Sequence, residues 1–205
     1  EAGSILASAQ IRRRMEVITP YTQNIRSFSC TEGNELIPRM AREKGLQTMV
    51  GAWLSNDKDR NEREIQSLIR LAKEGVVDVA TVGNEVLMRG ELTPAEIIDY
   101  LKRVKERIPA EIPVGYVEAY YQFLDHPELI EASDIVMINC YPFWEGADNK
   151  YALAYLNHMY EVTSQAAGGK PVIITETGWP SSCQKVHDAE PSKENALRYF
   201  IDAQT

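Results

Sequence analysis

Two glutamates carry the strongest chemical signal in this chain. Glu85 closes the run Thr81-Val82-Gly83-Asn84-Glu85, and Glu176 lies within Ile174-Thr175-Glu176-Thr177-Gly178-Trp179-Pro180-Ser181; each follows a β-branched apolar stretch. Two carboxyl groups flanking a glycosidic bond can divide the work of cleaving it. One donates a proton to the leaving oxygen while the other attacks or stabilises the anomeric carbon. Identical side chains take opposite roles only where their surroundings separate their proton affinities. Asn84 adds an amide donor suited to a sugar hydroxyl near the reacting carbon. On spacing alone a second reading stays open, in which both are helix-capping or salt-bridged glutamates at strand ends.

Carboxylates so far apart in sequence meet only if the fold brings two strand ends together. Six short runs rich in β-branched or aromatic residues, at 24–29, 48–53, 76–82, 114–117, 135–138 and 172–174, alternate with segments of helical period at 36–43, 62–73, 94–107 and 151–166. Ile65, Leu68, Ile69 and Ala72 form one stripe, whereas Glu62, Arg63, Glu64, Arg70, Lys73 and Glu74 lie largely off it and predict a solvated face. Thr93-Pro94-Ala95-Glu96 combines a capping threonine, a first-turn proline and a glutamate three residues after the cap, which predicts a helix start. The alternation implies a parallel sheet with right-handed crossovers, either closed as a barrel or open and doubly wound. No strand is followed by the G-x-G-x-x-G of a dinucleotide site, and chemically suited residues follow at least four strands. The expected fold is therefore α/β, a (β/α)8 TIM-barrel-like domain whose strand ends open on one face.

The 205 residues fit a single domain, 1–205, with no linker-like stretch dividing it. Helix-like segments at 7–17 and 193–203 lie outside the first and last runs, while a complete barrel needs roughly 250 residues. The barrel is expected to lack its first and last strands, which are neighbours in a closed barrel. Their loss would leave a single gap with two unpaired edges, and self-association through those edges is expected. The first ten residues read as an unusual lead-in.

The net charge of -8 argues against nucleic acid or an anionic membrane surface as the main partner, since either would repel the chain; a neutral polymer remains compatible. No apolar run approaches the roughly 20 residues needed to span a bilayer. Cys30, Cys140 and Cys183 are widely spaced, without metal-ligand spacing, and are expected as structural or free thiols, although Cys140 and Cys183 follow neighbouring runs that a disulfide could join. His126, His158 and His187 are scattered, and the Arg12-Arg13-Arg14 run reads as a solvated helix face. No cofactor and no metal site are indicated.

The two glutamate motifs together resemble glycoside hydrolase family 17, the β-1,3-glucanases and glucanosyltransferases of the large retaining (β/α)8 clan. Ile25-Arg26-Ser27-Phe28 and Asn139-Cys140-Tyr141-Pro142-Phe143-Trp144 extend the resemblance, which is nearest to the bacterial branch and runs from about Ile11 to Thr205. It implies that Glu85, ending the fourth barrel strand, is the general acid/base and that Glu176, on the seventh, is the nucleophile. It also implies β-1,3-glucan as substrate, an extracellular or cell-envelope location, and a contact from Tyr141 to both sugar and nucleophile. Trp179 and Phe143 are candidate stacking faces for a glucose ring, with plain packing as the rival reading; Trp144 is balanced in the same way. Arg26, a charge within a strand, is expected to pair with Glu176. Tyr116, Glu118 and Trp53 are candidate cleft residues or structural ones. Two other functions stay open: a glucan-binding or scaffold piece without turnover, and a barrel isomerase or lyase. A phosphate-binding glycine loop would favour the latter, and Gly178-Trp179-Pro180 does not resemble one.

Overall fold

A computed structural model describes residues 6–204; residues 1–5 of the lead-in, with Thr205, lie outside the described residues. Six strands form one sheet: β1 (Asn24–Ser27), β2 (Gln47–Ala52), β3 (Val79–Asn84), β4 (Val114–Ala119), β5 (Val136–Asn139) and β6 (Val172–Glu176). They match the six predicted runs. All neighbouring pairs are parallel, and the spatial order is the chain order. Each crossover thus steps one strand onward in the same direction, without the reversal a doubly wound sheet requires.

The helices are α1 (Ser8–Ile18), α2 (Leu36–Glu43), α3 (Lys58–Lys73), α4 (Pro94–Lys105), α5 (Tyr120–Asp125), α6 (Pro127–Ala132), α7 (Ala152–Ala166) and α8 (Lys193–Asp202). The capping box at Thr93 and Glu96 forms as the sequence predicts. The short helices α5 and α6 have no counterpart among the predicted segments, because six residues are too few to display a helical period.

Strand alternation sorts the side chains into two layers. Val50, Ala80, Val82, Val114, Tyr116, Val136 and Ile138 face the helices and join the main core, whereas Val117 and Met137 pack with Met49 and Val79 on the inner face. The sheet is strongly curled. Six strands laid flat would hold β1 and β6 about 24 Å apart at the usual spacing, yet an Arg26 guanidinium nitrogen on β1 lies 2.8 Å from a Glu176 carboxylate oxygen on β6. Among the described residues β1 and β6 each pair with one neighbouring strand, so the backbone ladder does not close.

One expectation is corrected here. Glu64 is not on a solvated face but fully buried at the edge of the α3 stripe. Its carboxylate accepts from Ser29 Oγ (2.6 Å), Thr31 Oγ1 (2.5 Å), the Cys30 backbone N–H (2.7 Å) and the Trp53 backbone N–H (3.2 Å). It therefore fastens the segments following β1 and β2 to α3. Glu64→Ala strands several buried donors and is expected to cost about 3–5 kcal/mol of stability, read by urea denaturation; a loss below about 1 kcal/mol would contradict this clamp. The three cysteines are free thiols, Cys30 and Cys140 buried and Cys183 exposed. No helix among the described residues is long and apolar enough to cross a membrane.

Candidate active site

Because all six strands point the same way, their C-terminal ends share one rim, and Glu85 and Glu176 both line a single cleft of about 770 Å³ at that rim. Glu85 gets there through an irregular strand end. The β3–β4 register shifts between Thr81 and Asn84, Gly83 has φ +87°, and Glu85 itself has φ +52°. A non-glycine residue in the left-handed region is uncommon, and a bulge re-aims the side chain that follows it. The Glu85 backbone N–H still donates to the Val117 carbonyl at 2.9 Å, so the turn is anchored on β4.

The two carboxylates are bracketed by different partners. Arg26 Nη1 donates to Glu176 Oε1 at 2.8 Å, and the Tyr141 hydroxyl donates to Oε2 at 2.8 Å. Arg26 Nη2 donates to Asn84 Oδ1 at 2.6 Å, so one guanidinium ties the Glu176 strand to the residue preceding Glu85. Burial, followed by the hydrogen bond to Glu176, pushes the Tyr141 phenol up, and it stays a donor at neutral pH. On the other side Asn139 Nδ2 donates to Glu85 Oε1 at 2.8 Å while Thr175 Oγ1 meets Asn139 Oδ1 at 2.7 Å. Arg89 donates to the Asn84 and Leu54 carbonyls and lies 4.6 Å from the centre of the Trp53 ring, which holds the base of the Glu85 turn.

The chain matches the BtgE/BtgC glycoside hydrolase domain over residues 1–205. It belongs to that family. Two solved structures of Rhizomucor miehei place it within glycoside hydrolase family 17. The family 17 β-1,3-glucanosyltransferase is 30% identical, with TM-score 0.85 over 95% of this chain and 74% of that one. An active-site mutant of the glucanosyltransferase in complex with laminaritriose is also 30% identical, with TM-score 0.87 over 96% of this chain and 75% of that one. A glucan 1,3-beta-glucosidase of Schizosaccharomyces pombe is 27% identical over 210 residues, covering 92% of this chain; the chain spans 64% of that relative.

In this family 17 domain several candidate residues lie elsewhere than the sequence suggested. Phe143 has no exposed surface and offers no face to a sugar; its ring meets Trp179 edge-on at 5.2 Å. Trp179 is only 8% exposed, packs against Tyr199 of α8, and donates its indole N–H to the Glu190 carbonyl at 3.0 Å. Both belong to the core, which corrects their reading as stacking residues. Tyr116 and Glu118 are also fully buried, on the helix side of β4, and so are not cleft residues. Arg26 meets Glu176 as predicted, and its guanidinium also donates to Asn84. Asn84 is only 8% exposed and already engaged by Arg26.

The aromatic lining of the cleft comes from Trp144, 59% exposed, from the half-buried Tyr120 and exposed Tyr121 at the head of α5, and from Tyr141. Glu145 joins them and accepts from the Tyr155 hydroxyl at 2.8 Å. Of these aromatics the sequence points to Trp144 and Tyr141 alone, because the pair Tyr120–Tyr121 opens a helix too short to show a period. Asn139 belongs to the Asn139–Trp144 motif, but its bond to Glu85 depends on β4 lying between β3 and β5 in the sheet, which no local pattern reveals. Among the described residues no group of three His, Cys, Asp or Glu side chains is placed to hold a metal ion.

Proposed function

We propose that this domain is a retaining glycosidase or glucanosyltransferase acting on β-1,3-glucan. The observation that carries the reading is the shared cleft in which Glu176 faces Arg26 and Tyr141 while Glu85 faces the neutral amide of Asn139. The names of the relatives, a glucan 1,3-beta-glucosidase and a β-1,3-glucanosyltransferase complexed with laminaritriose, support the substrate class.

Glu176 attacks the anomeric carbon, forming a glycosyl ester as the bond from that carbon to the leaving oxygen breaks. Glu85 delivers its proton to that oxygen. In the second half, Glu85 takes a proton from water or an acceptor hydroxyl, whose oxygen forms the new bond to the anomeric carbon and releases the Glu176 carboxylate. Arg26 and Tyr141 orient the nucleophile, and Trp144, Tyr120 and Tyr121 supply apolar faces for sugar rings.

The test is incubation of the purified chain with laminari-oligosaccharides, following the first anomer by NMR and product lengths by mass spectrometry. Initial β-anomer is expected, with products longer than the substrate if transfer competes with hydrolysis. Initial α-anomer would overturn the retaining assignment. Folded protein that binds the oligosaccharide without turnover would make the chain a glucan-binding piece.

A further inference from the structure

Tyr116 and Glu118 form a fully buried, hydrogen-bonded polar pair on β4, and the reaction as described leaves them unused. Glu118 is a fully buried carboxylate on the helix side of β4. The Tyr116 hydroxyl and the Met88 backbone N–H, at 3.2 Å, donate to its Oε2, and the Ala119 backbone N–H donates to Oε1 at 2.8 Å. The Tyr116 hydroxyl in turn accepts from the Leu87 backbone N–H at 3.0 Å. Leu87 and Met88 lie two and three residues after Glu85 in the turn between β3 and α4. Their N–H groups point at neighbouring-strand side chains, so two side chains of β4 satisfy the backbone of the segment that carries Glu85.

The same tyrosine abuts the start of that segment. A Cβ on Gly83 would lie 3.2 Å from the Tyr116 ring, at a residue already held at φ +87°. Glu85, at φ +52°, occupies a conformation that persists only where surrounding contacts over-determine it. Burial pushes the Glu118 carboxyl up, its three donors pull it down, and the Glu85 charge raises it again, so the two carboxyls lie within electrostatic reach. A buried carboxylate is costly where an apolar side chain could fill the space. Its three convergent donors identify what it holds.

We propose that Glu118, acting with Tyr116 through the turn that follows Glu85, is a positioning residue that sets where Glu85 delivers its proton. This rests on the acid/base role proposed above for Glu85. A displaced proton donor penalises leaving groups that need protonation and spares those that do not. Merely structural damage lowers both alike.

The experiment compares kcat/KM on laminari-oligosaccharide and on a dinitrophenyl β-glucoside for the parent chain, Glu118→Gln, Tyr116→Phe and Glu85→Ala. Glutamine keeps the volume but turns an NH2 group toward existing donors. Glu118→Gln is expected to lose about 10²-fold on the oligosaccharide and about threefold or less on the activated glycoside. Tyr116→Phe should lose about tenfold with the same selectivity, and it decides the question if Glu118→Gln fails to fold by circular dichroism. Asp78→Asn, which weakens the hold on the Thr48 N–H at the opposite end of the sheet, serves as the control and should keep the parent's ratio between substrates. No loss, or equal losses on both substrates, in folded Glu118→Gln and Tyr116→Phe would overturn the positioning role while a selective Glu85→Ala leaves the function intact. A parent without turnover, or an unselective Glu85→Ala, would overturn the functional reading and this inference with it.

Discussion

Glu176→Gln is expected to abolish turnover on natural and activated glucosides alike, by on the order of 10⁴-fold or more. Glutamine preserves the volume and still accepts from one of the two donors, Arg26 or Tyr141, that hold the carboxylate. What it loses is the anionic oxygen that forms the bond to the anomeric carbon, and no leaving group makes up for that. The loss should appear in kcat/KM on both substrates, because formation of the glycosyl ester precedes every later step. A mechanism-based fluoroglucoside should label the parent at Glu176, located by peptide mass spectrometry, and leave the variant unlabelled. Residual activity above about 1% on the activated substrate would remove Glu176 from the nucleophile's role.

Glu85→Ala should behave differently, and the difference identifies the acid/base. On laminari-oligosaccharides, whose leaving sugar is a poor anion, the expected loss in kcat/KM is about 10²–10⁴-fold, the usual worth of positioned proton transfer. On a dinitrophenyl glucoside the first step needs no proton, so kcat/KM should fall by about tenfold at most. Release of the intermediate still needs a base, and kcat should therefore drop until azide is added. Azide attacks without giving up a proton, and the product expected is the β-glucosyl azide, with the configuration retained. Equal losses on both substrates, without azide rescue, would sink the assignment.

Asn139 and Arg26 make these two experiments independent of one another. Arg26 reaches Glu176 and Asn84, and Asn139 reaches Glu85 and Thr175, so each carboxylate keeps its own direct donor when the other is replaced. The losses of a double variant are still not expected to add, because both carboxylates serve the same reaction.

The parts of this protein that follow from local rules were legible in its sequence. Six β-branched runs became six strands, with helical segments of clear periodicity filling four of the five intervals between them, and the Thr93 capping box formed because every group in it lies within four residues. The catalytic candidates were legible for a topological reason: in a parallel sheet any residue just past a strand end arrives at the same rim. Arg26 as partner of Glu176 followed from the cost of a lone charge in a strand.

What the tertiary structure decided was which face each side chain took and which distant group it met. Tyr116 and Glu118, two apart on one strand, had to share a face, but only the pairing of β4 with β3 and β5 turned that face toward the helices instead of the barrel interior. Glu64 sits at the edge of an apolar stripe, where helical period alone does not distinguish a solvated carboxylate from one satisfying the Cys30 and Trp53 backbone N–H groups. Phe143 and Trp179 carry the residue types of a sugar platform, yet α8 brings Tyr199 against Trp179 and both rings become core. Local periodicity depends on neighbours a few residues away, whereas burial and hydrogen-bond partnership here depend on groups up to 150 residues distant, brought together only by the curl of the sheet.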